Sequence, residues 1–234
     1  MRLLPSFLPP DQQRRLLSEV RDVLARAPLY SPAMPRSGSP YSVRMSNCGS
    51  VGWLSDRSGY RYSATHPVTG VPWPDIPRSI LDLWHETTGV AYEPEACLIN
   101  VYSSTARLGL HRDQDEDARD APILSISLGD TALFRLGGAE RKSPTRSFRL
   151  GSRDLMILDG PSRHWFHGVD RILPGTSQLL PEGGRINLTL RRVTEPYRRD
   201  LTQASLLASE AAARGGPPLE TATMAARSRR PARR

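Results

Sequence analysis

The sequence predicts an α+β protein whose main body is a β-sandwich or double-sheet jelly roll. Three observations lead there. Between Ala96 and Val193, short β-rich runs succeed one another, separated by turn residues such as Gly137-Gly138, Gly151-Ser152 and Gly183-Gly184. Ahead of them lie segments with the apolar spacing of amphipathic helices. Beyond Pro196 the apolar pattern ends.

Taken in order, Asp11 to Ala27 places Leu16, Leu17, Val20, Val23 and Leu24 on one helical face, and Pro9-Pro10-Asp11 supplies a start signal. Residues 28–78 are rich in Pro, Gly, Ser and Tyr, with short extended stretches around Val43 and Tyr60–Tyr62 and no helical period, so hairpins and loops are expected there. A second helix is expected over 77–88, with Ile80, Leu81 and Trp84 inward and Gly89 as its stop. The strands follow at Leu98–Tyr102, Ile123–Leu128, Ala132–Leu136, Arg146–Leu150, Leu155–Leu158 and Ile186–Arg192. Leu201 to Ala213 reads as a weak helix. Gly215 to Arg234 reads as a disordered end carrying Arg227, Arg229, Arg230, Arg233 and Arg234.

Composition narrows the function classes. A chain of 234 residues accommodates one globular domain of about 200 residues with a small appendage. The formal charge is +8 and the pI about 10.2, with Lys142 the only lysine, and this sign suits a nucleic-acid partner. Cys48 and Cys97 are the only cysteines, which argues against a disulfide framework or a cysteine zinc site and fits a reducing compartment. Prolines at 5, 9 and 10 break any N-terminal apolar run, and no stretch has the length of a membrane span. A cytoplasmic, monomeric protein without a membrane association is expected.

His111-x-Asp113 is the strongest chemical signal. Residues two apart on a strand share a face, so both side chains can reach one metal while Arg112 turns away. Two imidazoles and a carboxylate make the facial triad that holds Fe(II) with open positions. The third ligand is expected from another strand, across the barrel. His85 lies on the expected second helix, His66 in the loop region, and His164 and His167 share one loop. His167 is preferred because Gly168-Val169 opens a strand beside it. A single His-x-Asp arises readily by chance, so the surroundings must carry the argument.

They do so at Arg185, Asn187, Thr189 and Arg191, which alternate with Ile186, Leu188 and Leu190. One face of this strand suits a core, and the other needs charged partners if buried. A dicarboxylate would serve, with Asn100 and Tyr102, again two apart, adding an amide and a phenol.

With these residues in place the chain resembles the AlkB family of Fe(II)/2-oxoglutarate-dependent dioxygenases. The likeness runs to about Val193. It includes Met45-Ser-Asn-Cys-Gly49, Gly52-Trp53, Gly59-Tyr60-Arg-Tyr62, Pro72-Trp73-Pro74, Asn100-Val-Tyr102, Leu110-His-Arg-Asp-Gln-Asp115, Ser125-Ile-Ser-Leu-Gly129, Phe134-Arg-Leu-Gly-Gly138, Phe166-His-Gly168 and Arg185-Ile-Asn-Leu-Thr-Leu-Arg191. The chain begins at what would be the family's first strand, and the arginine tail beyond Pro196 has no counterpart in the pattern. The resemblance implies that His111, Asp113 and His167 hold the iron and act as the catalytic centre. It implies that Asn100, Tyr102, Arg185, Asn187 and Arg191 contact 2-oxoglutarate. It implies that Trp53, Tyr60, Tyr62, Asp115 and Arg141 hold the damaged nucleotide, with Trp53 stacking on the base and Asp115 favouring a cationic one.

The expected protein is therefore α+β, a double-stranded β-helix (jelly-roll) core with two supporting helices and an N-terminal nucleotide-recognition lid. The expected organisation is helix and lid over 1–90, dioxygenase core over 91–195 and a basic tail over 196–234. The implied activity is oxidative dealkylation of N-alkylated bases of the 1-methyladenine or 3-methylcytosine type. It uses Fe(II), 2-oxoglutarate and O2 on DNA that is single-stranded or has the base flipped out. RNA is the closest rival substrate. A nucleic-acid-binding protein with an inactive metal site and a protein hydroxylase are the readings from other classes.

Overall fold

Helices on one side, a large sheet in the middle and a smaller sheet on the far side make up the computed structural model, which describes residues 1–195. The expected weak helix at 201–213, the disordered end and the tail segment 196–234 lie outside the described residues. Helix α1 (Pro10–Arg26) has Pro9 at its N-cap and Pro10 in its first turn, where a missing N–H costs nothing. It buries Leu16, Leu17, Val20 and Val23 along one face. Helix α2 (Arg78–Thr88) buries Ile80, Leu83 and Trp84. It stops at Gly89, whose φ of 73° lies in the left-handed region that glycine enters without steric penalty.

The large sheet has six strands in the order β1 (Arg2–Leu4), β10 (Leu155–Leu158), β7 (Ile123–Gly129), β12 (Arg185–Arg191), β5 (Ala96–Tyr102) and β2 (Arg44–Gly49). The smaller sheet has the order β6 (Leu108–His111), β11 (His167–Leu173), β8 (Thr131–Leu136) and β9 (Arg146–Leu150). Every pairing is antiparallel. Strands β3 (Gly52–Asp56) and β4 (Gly59–Ser63) form a separate hairpin. The two larger sheets form a jelly-roll core. Its edge strands β1 and β2 come from the N-terminal ninety residues, so that segment contributes to the core sheet as well as to the hairpin.

Alternation along the strands sorts side chains into two cores. Ile186, Leu188 and Leu190 of β12 join Cys97, Ile99, Leu124, Ile126, Leu155 and Ile157 beneath the helices, where Leu16, Val20, Leu83 and Trp84 cover them. Burying a side chain such as Leu16 stabilises the fold by about 1.5–3 kcal/mol. The opposite faces of β5, β7, β10 and β12 meet the small sheet through Leu98, Tyr102, Ile123, Met156, Leu158, Phe134, Leu136, Leu150, Val169 and Ile172. The polar stripe of β12 is consequently turned into the space between the sheets and not toward water.

Candidate metal centre and substrate cavity

Strand β6 ends on His111 and β11 begins on His167, and the two are register partners. Gly168 permits this approach: a Cβ there would lie 2.6 Å from the Leu108 carbonyl oxygen and 2.9 Å from that of Gly109. The imidazole centroids are 4.5 Å apart. Asp113, two residues past His111, completes a cluster whose ligand atoms all lie within 4.8 Å of one another. The third ligand thus comes from the hydrogen-bonded neighbour of β6 in the same small sheet, and not from across the barrel as the sequence suggested. The reason is that β11 pairs with both β6 and β8, so its first residue falls beside the end of β6.

The donor set fits Fe(II). His111 Nδ1 lies 2.9 Å from the Gly109 carbonyl and His167 Nδ1 lies 3.0 Å from that of Trp165. Each Nδ1–H donates to its carbonyl, leaving both Nε2 atoms as metal-facing lone pairs. They point at one carboxylate, His111 Nε2 at 3.8 Å and His167 Nε2 at 3.7 Å from Asp113. Burial and then the neighbouring His111 push the His167 pKa down to about 4, so the ring is neutral at physiological pH. For Asp113 burial acts upward, but Arg191, His167 and His111 outweigh it and hold the carboxyl well below the usual range. Both ligands are thus in their metal-binding protonation states. Arg191 fixes the carboxylate through Nη2 at 3.0 Å.

Beside this cluster the inward residues of β12 and β5 face the cavity in register, Arg185 opposite Tyr102 and Asn187 opposite Asn100. Arg185 is 1% exposed and has no carboxylate within ion-pair distance among the described residues. Its donors reach only neutral acceptors, the carbonyls of Asp130 at 3.2 Å and Leu150 at 2.9 Å and Ser127 Oγ at 2.7 Å. Arg185 Nε and Asn100 Oδ1 are the buried side-chain polar atoms without a partner among the described residues. The amide of Asn100 exchanges donor and acceptor by rotation, so that position can present an N–H. Burial pushes the Arg185 pKa down to about 10 and that of Tyr102 up to about 12. A buried cation with an idle donor, next to a neutral phenol, has the chemistry to hold one carboxylate of an elongated anion. Asn187 is instead internally satisfied, donating to Ser125 Oγ at 2.8 Å and the Ile126 carbonyl at 3.1 Å, and accepting from Thr189.

One cavity of about 470 Å³ joins the triad, this anion site and the outer hairpin. Trp53 of β3 forms a wall, stacked on Tyr60 of β4 at 5.6 Å and met edge-on by Tyr41 at 6.5 Å. Its indole N–H donates to Asp115 at 3.1 Å. Arg141 and Arg112 stand at the rim over one ring, their guanidinium carbons 5.8 Å and 5.4 Å from the centroid of Phe166.

The structure therefore brings His111, Asp113, His167, Asn100, Tyr102, Arg185, Asn187, Arg191, Trp53, Tyr60, Asp115 and Arg141 to one cavity wall. Tyr62 is placed elsewhere: it is not among the lining residues, and its hydroxyl donates to Glu116. As placed, its hydroxyl ties the hairpin to the core. Tyr41, Arg112, Glu116 and Arg163 were not singled out from the sequence. Glu116 sits in an acidic run that reads as solvated, whereas its long-range pairings with Arg163, Arg191 and Tyr62 accompany its burial. The remaining histidines have structural partners or lie apart. His66 contacts the Pro28 carbonyl at 2.8 Å and His85 that of Val90 at 3.0 Å, while His164 is in the 3-10 turn Gly160–His164.

Comparison with known proteins agrees with this geometry. Residues 1–191 match the 2OG-Fe(II) oxygenase superfamily. The chain is 54% identical over 188 residues to an alpha-ketoglutarate-dependent dioxygenase AlkB homolog of Caulobacter vibrioides, covering 80% of this chain and 85% of the relative. It is 38% identical over 182 residues to the alpha-ketoglutarate-dependent dioxygenase AlkB of Escherichia coli, covering 76% and 83%. Among solved structures, that of OsALKBH1 superposes with a TM-score of 0.71 at 31% identity, covering 81% of this chain and 95% of the other.

Proposed function

Because the chain belongs to the 2OG-Fe(II) oxygenase superfamily and, within it, to the AlkB dioxygenases, we propose that it removes alkyl groups from the ring nitrogens of DNA bases by oxidation. The enzyme is an Fe(II)- and 2-oxoglutarate-dependent dioxygenase. Fe(II) held by His111, Asp113 and His167 supplies, with O2 and the keto acid, the oxidation that converts an N-alkyl C–H bond to C–OH. The balance is one 2-oxoglutarate and one O2 consumed, and one succinate, one CO2, one aldehyde and one dealkylated base formed.

The protein's residues bind, orient and exclude water. Arg185 holds the far carboxylate of the keto acid with its idle Nε, and Tyr102 and Asn100 line the same end. Arg191 holds Asp113 in its ligating orientation. Trp53 offers a stacking surface, and Asp115 gives a cationic base such as 1-methyladenine or 3-methylcytosine a counter-charge. A base within a duplex cannot reach a centre set between two sheets, so the substrate nucleotide is flipped out or single-stranded. Arg112 and Arg141 at the rim face the backbone phosphates that remain outside.

The single observation that carries this reading is the buried Arg185, with its Nε unpaired and no carboxylate counter-ion among the described residues, sharing one cavity with the His-Asp-His cluster. The triad, the unpaired Arg185 Nε and the Trp53 wall meet within a single chain, which suits a monomer. No helix among the described residues is long and apolar enough to cross a membrane, and the free, buried Cys48 and Cys97 suit a reducing cytoplasm. Turnover on oligonucleotides carrying one lesion each, followed by the mass of the strand, tests the proposal. A strand lighter by one CH2 for each methyl lesion supports it, and no change on any alkylated base refutes it.

A further inference from the structure

A buried acid that the reaction itself does not use connects the outer hairpin to the metal centre. Glu116 is 3% exposed. Its Oε2 accepts from Arg163 Nη2 at 3.1 Å. Its Oε1 is shared: it accepts from the Tyr62 hydroxyl, and Arg191 Nε stands 3.5 Å away. Arg191 in turn donates to Asp113 at 3.0 Å, while Arg163 reaches the Asp113 carbonyl at 3.0 Å and that of Ala121 at 2.9 Å. One carboxylate oxygen thus serves a strand of the hairpin and the guanidinium that orients a metal ligand.

The two strands of the hairpin are held differently. Among the described residues they pair only with each other, so neither is fixed by a ladder to the core sheets. The inner strand β3 is tied to the body at Trp53, whose N–H donates to Asn47 at 3.1 Å and whose carbonyl accepts from Tyr30 at 3.0 Å, and at Ser55, which donates to the Ala33 carbonyl at 2.7 Å. The outer strand β4 carries Tyr60, which backs the indole of Trp53. Its ties beyond the hairpin include the Ser63 carbonyl, which accepts from Trp73 at 2.9 Å, a side-chain hydrogen bond between Tyr60 and Tyr41 at the cavity, and, outside the cavity lining, the Tyr62 hydroxyl on Glu116. Trp53 and Tyr62 are cross-strand partners, and they grip consecutive residues of one core loop, Asp115 and Glu116. The Trp53–Asp115 hydrogen bond is exposed at the cavity, where an entering base competes for both side chains. The Tyr62–Glu116 bond lies outside the cavity lining, so an entering base leaves it intact. Burial raises the Tyr62 pKa well above its ordinary value, so the hydroxyl keeps the proton it donates.

We propose that Glu116 is a positioning residue that couples the outer strand of the nucleotide-binding hairpin to the metal and co-substrate floor, with Tyr62 as that strand's anchor. Filling the floor fixes Arg191 against Asp113, which fixes the shared oxygen of Glu116 and, through Tyr62, the strand that backs the stacking wall. The inference rests on the oxygenase reading above and adds that the order of β4 depends on occupancy of the floor.

Hydrogen–deuterium exchange of the full chain, with Mn(II) and 2-oxoglutarate as non-reacting occupants, tests it. In the natural protein these ligands should slow exchange of residues 59–63 on the order of tenfold, the scale of one charge-assisted hydrogen bond. In Tyr62→Phe that slowing should fall below about twofold, while residues 111–116 and 185–191 remain as protected by the ligands as before. Glu116→Gln should lose the β4 response as well. Retained protection of the floor shows that each variant is folded and tests the oxygenase reading on its own. An equal β4 response in Tyr62→Phe and the natural protein, or none in the natural protein, overturns the coupling.

Discussion

Replacing Arg185 with methionine should separate co-substrate binding from folding. The guanidinium is buried, and its bonded donors meet neutral oxygens of Asp130, Leu150 and Ser127. With 2-oxoglutarate bound, the carboxylate leaves water for this cation. Removing the cation leaves the anion buried and unpaired, at a cost of about 3–5 kcal/mol. The concentration of 2-oxoglutarate giving half-saturation should therefore rise by roughly 10²- to 4 × 10³-fold. The empty protein should feel much less. It gives up three hydrogen bonds worth about 1 kcal/mol each, but it is also relieved of a buried charge with no counter-ion. Titration of the Mn(II) protein with 2-oxoglutarate by calorimetry measures the first effect, and thermal unfolding measures the second. An unchanged affinity in a folded variant would refute the assignment of Arg185 to the dicarboxylate.

His111→Ala or Asp113→Ala should abolish turnover and stoichiometric Fe(II) binding while the protein remains folded, because Arg191 keeps Glu116 as a partner; full activity with iron still bound would contradict the triad. Asp115→Ala should lose more activity on cationic 1-methyladenine than on a neutral etheno adduct, since the carboxylate contributes charge as well as position; equal losses would reduce Asp115 to a partner of Trp53. Arg112→Gln combined with Arg141→Gln should weaken binding of single-stranded oligonucleotide and flatten log affinity against log salt by about 0.7 for each phosphate no longer neutralised. An unaltered slope by fluorescence anisotropy would mean that the rim cations do not touch the backbone.

Much of the fold was legible in the sequence where periodicity is strict. β12 alternates polar and apolar residues without interruption, so its two faces, and the sharing of one face by Arg185 and Arg191, follow from spacing alone. Leu155–Leu158 is found at its expected bounds. What was not legible depends on pairing between distant strands. β6 is four residues with a glycine inside, and β11 carries Asp170-Arg171 and a register shift, so neither presents a clean strand pattern. The location of His167 beside His111 is a property of that pairing, and sequence reasoning placed it across the barrel. The family resemblance groups Tyr62 with Tyr60 as nucleotide contacts, and at a spacing of two both side chains leave the same face of β4. Only the placement of the hairpin over the core shows that this face is divided along its length, with Tyr60 backing Trp53 at the cavity and Tyr62 reaching Glu116 beyond it.

The coupling of 2-oxoglutarate oxidation to removal of an alkyl group from a base takes place in one cavity. Its most direct test is a single-enzyme stoichiometry: succinate, formaldehyde and demethylated base counted together on an oligonucleotide containing one 1-methyladenine, with and without Fe(II). Equal amounts of the three products are expected, and none of them when iron is withheld by a chelator. Succinate formed without any demethylated base, or demethylation that continues in the chelated protein, would contradict it.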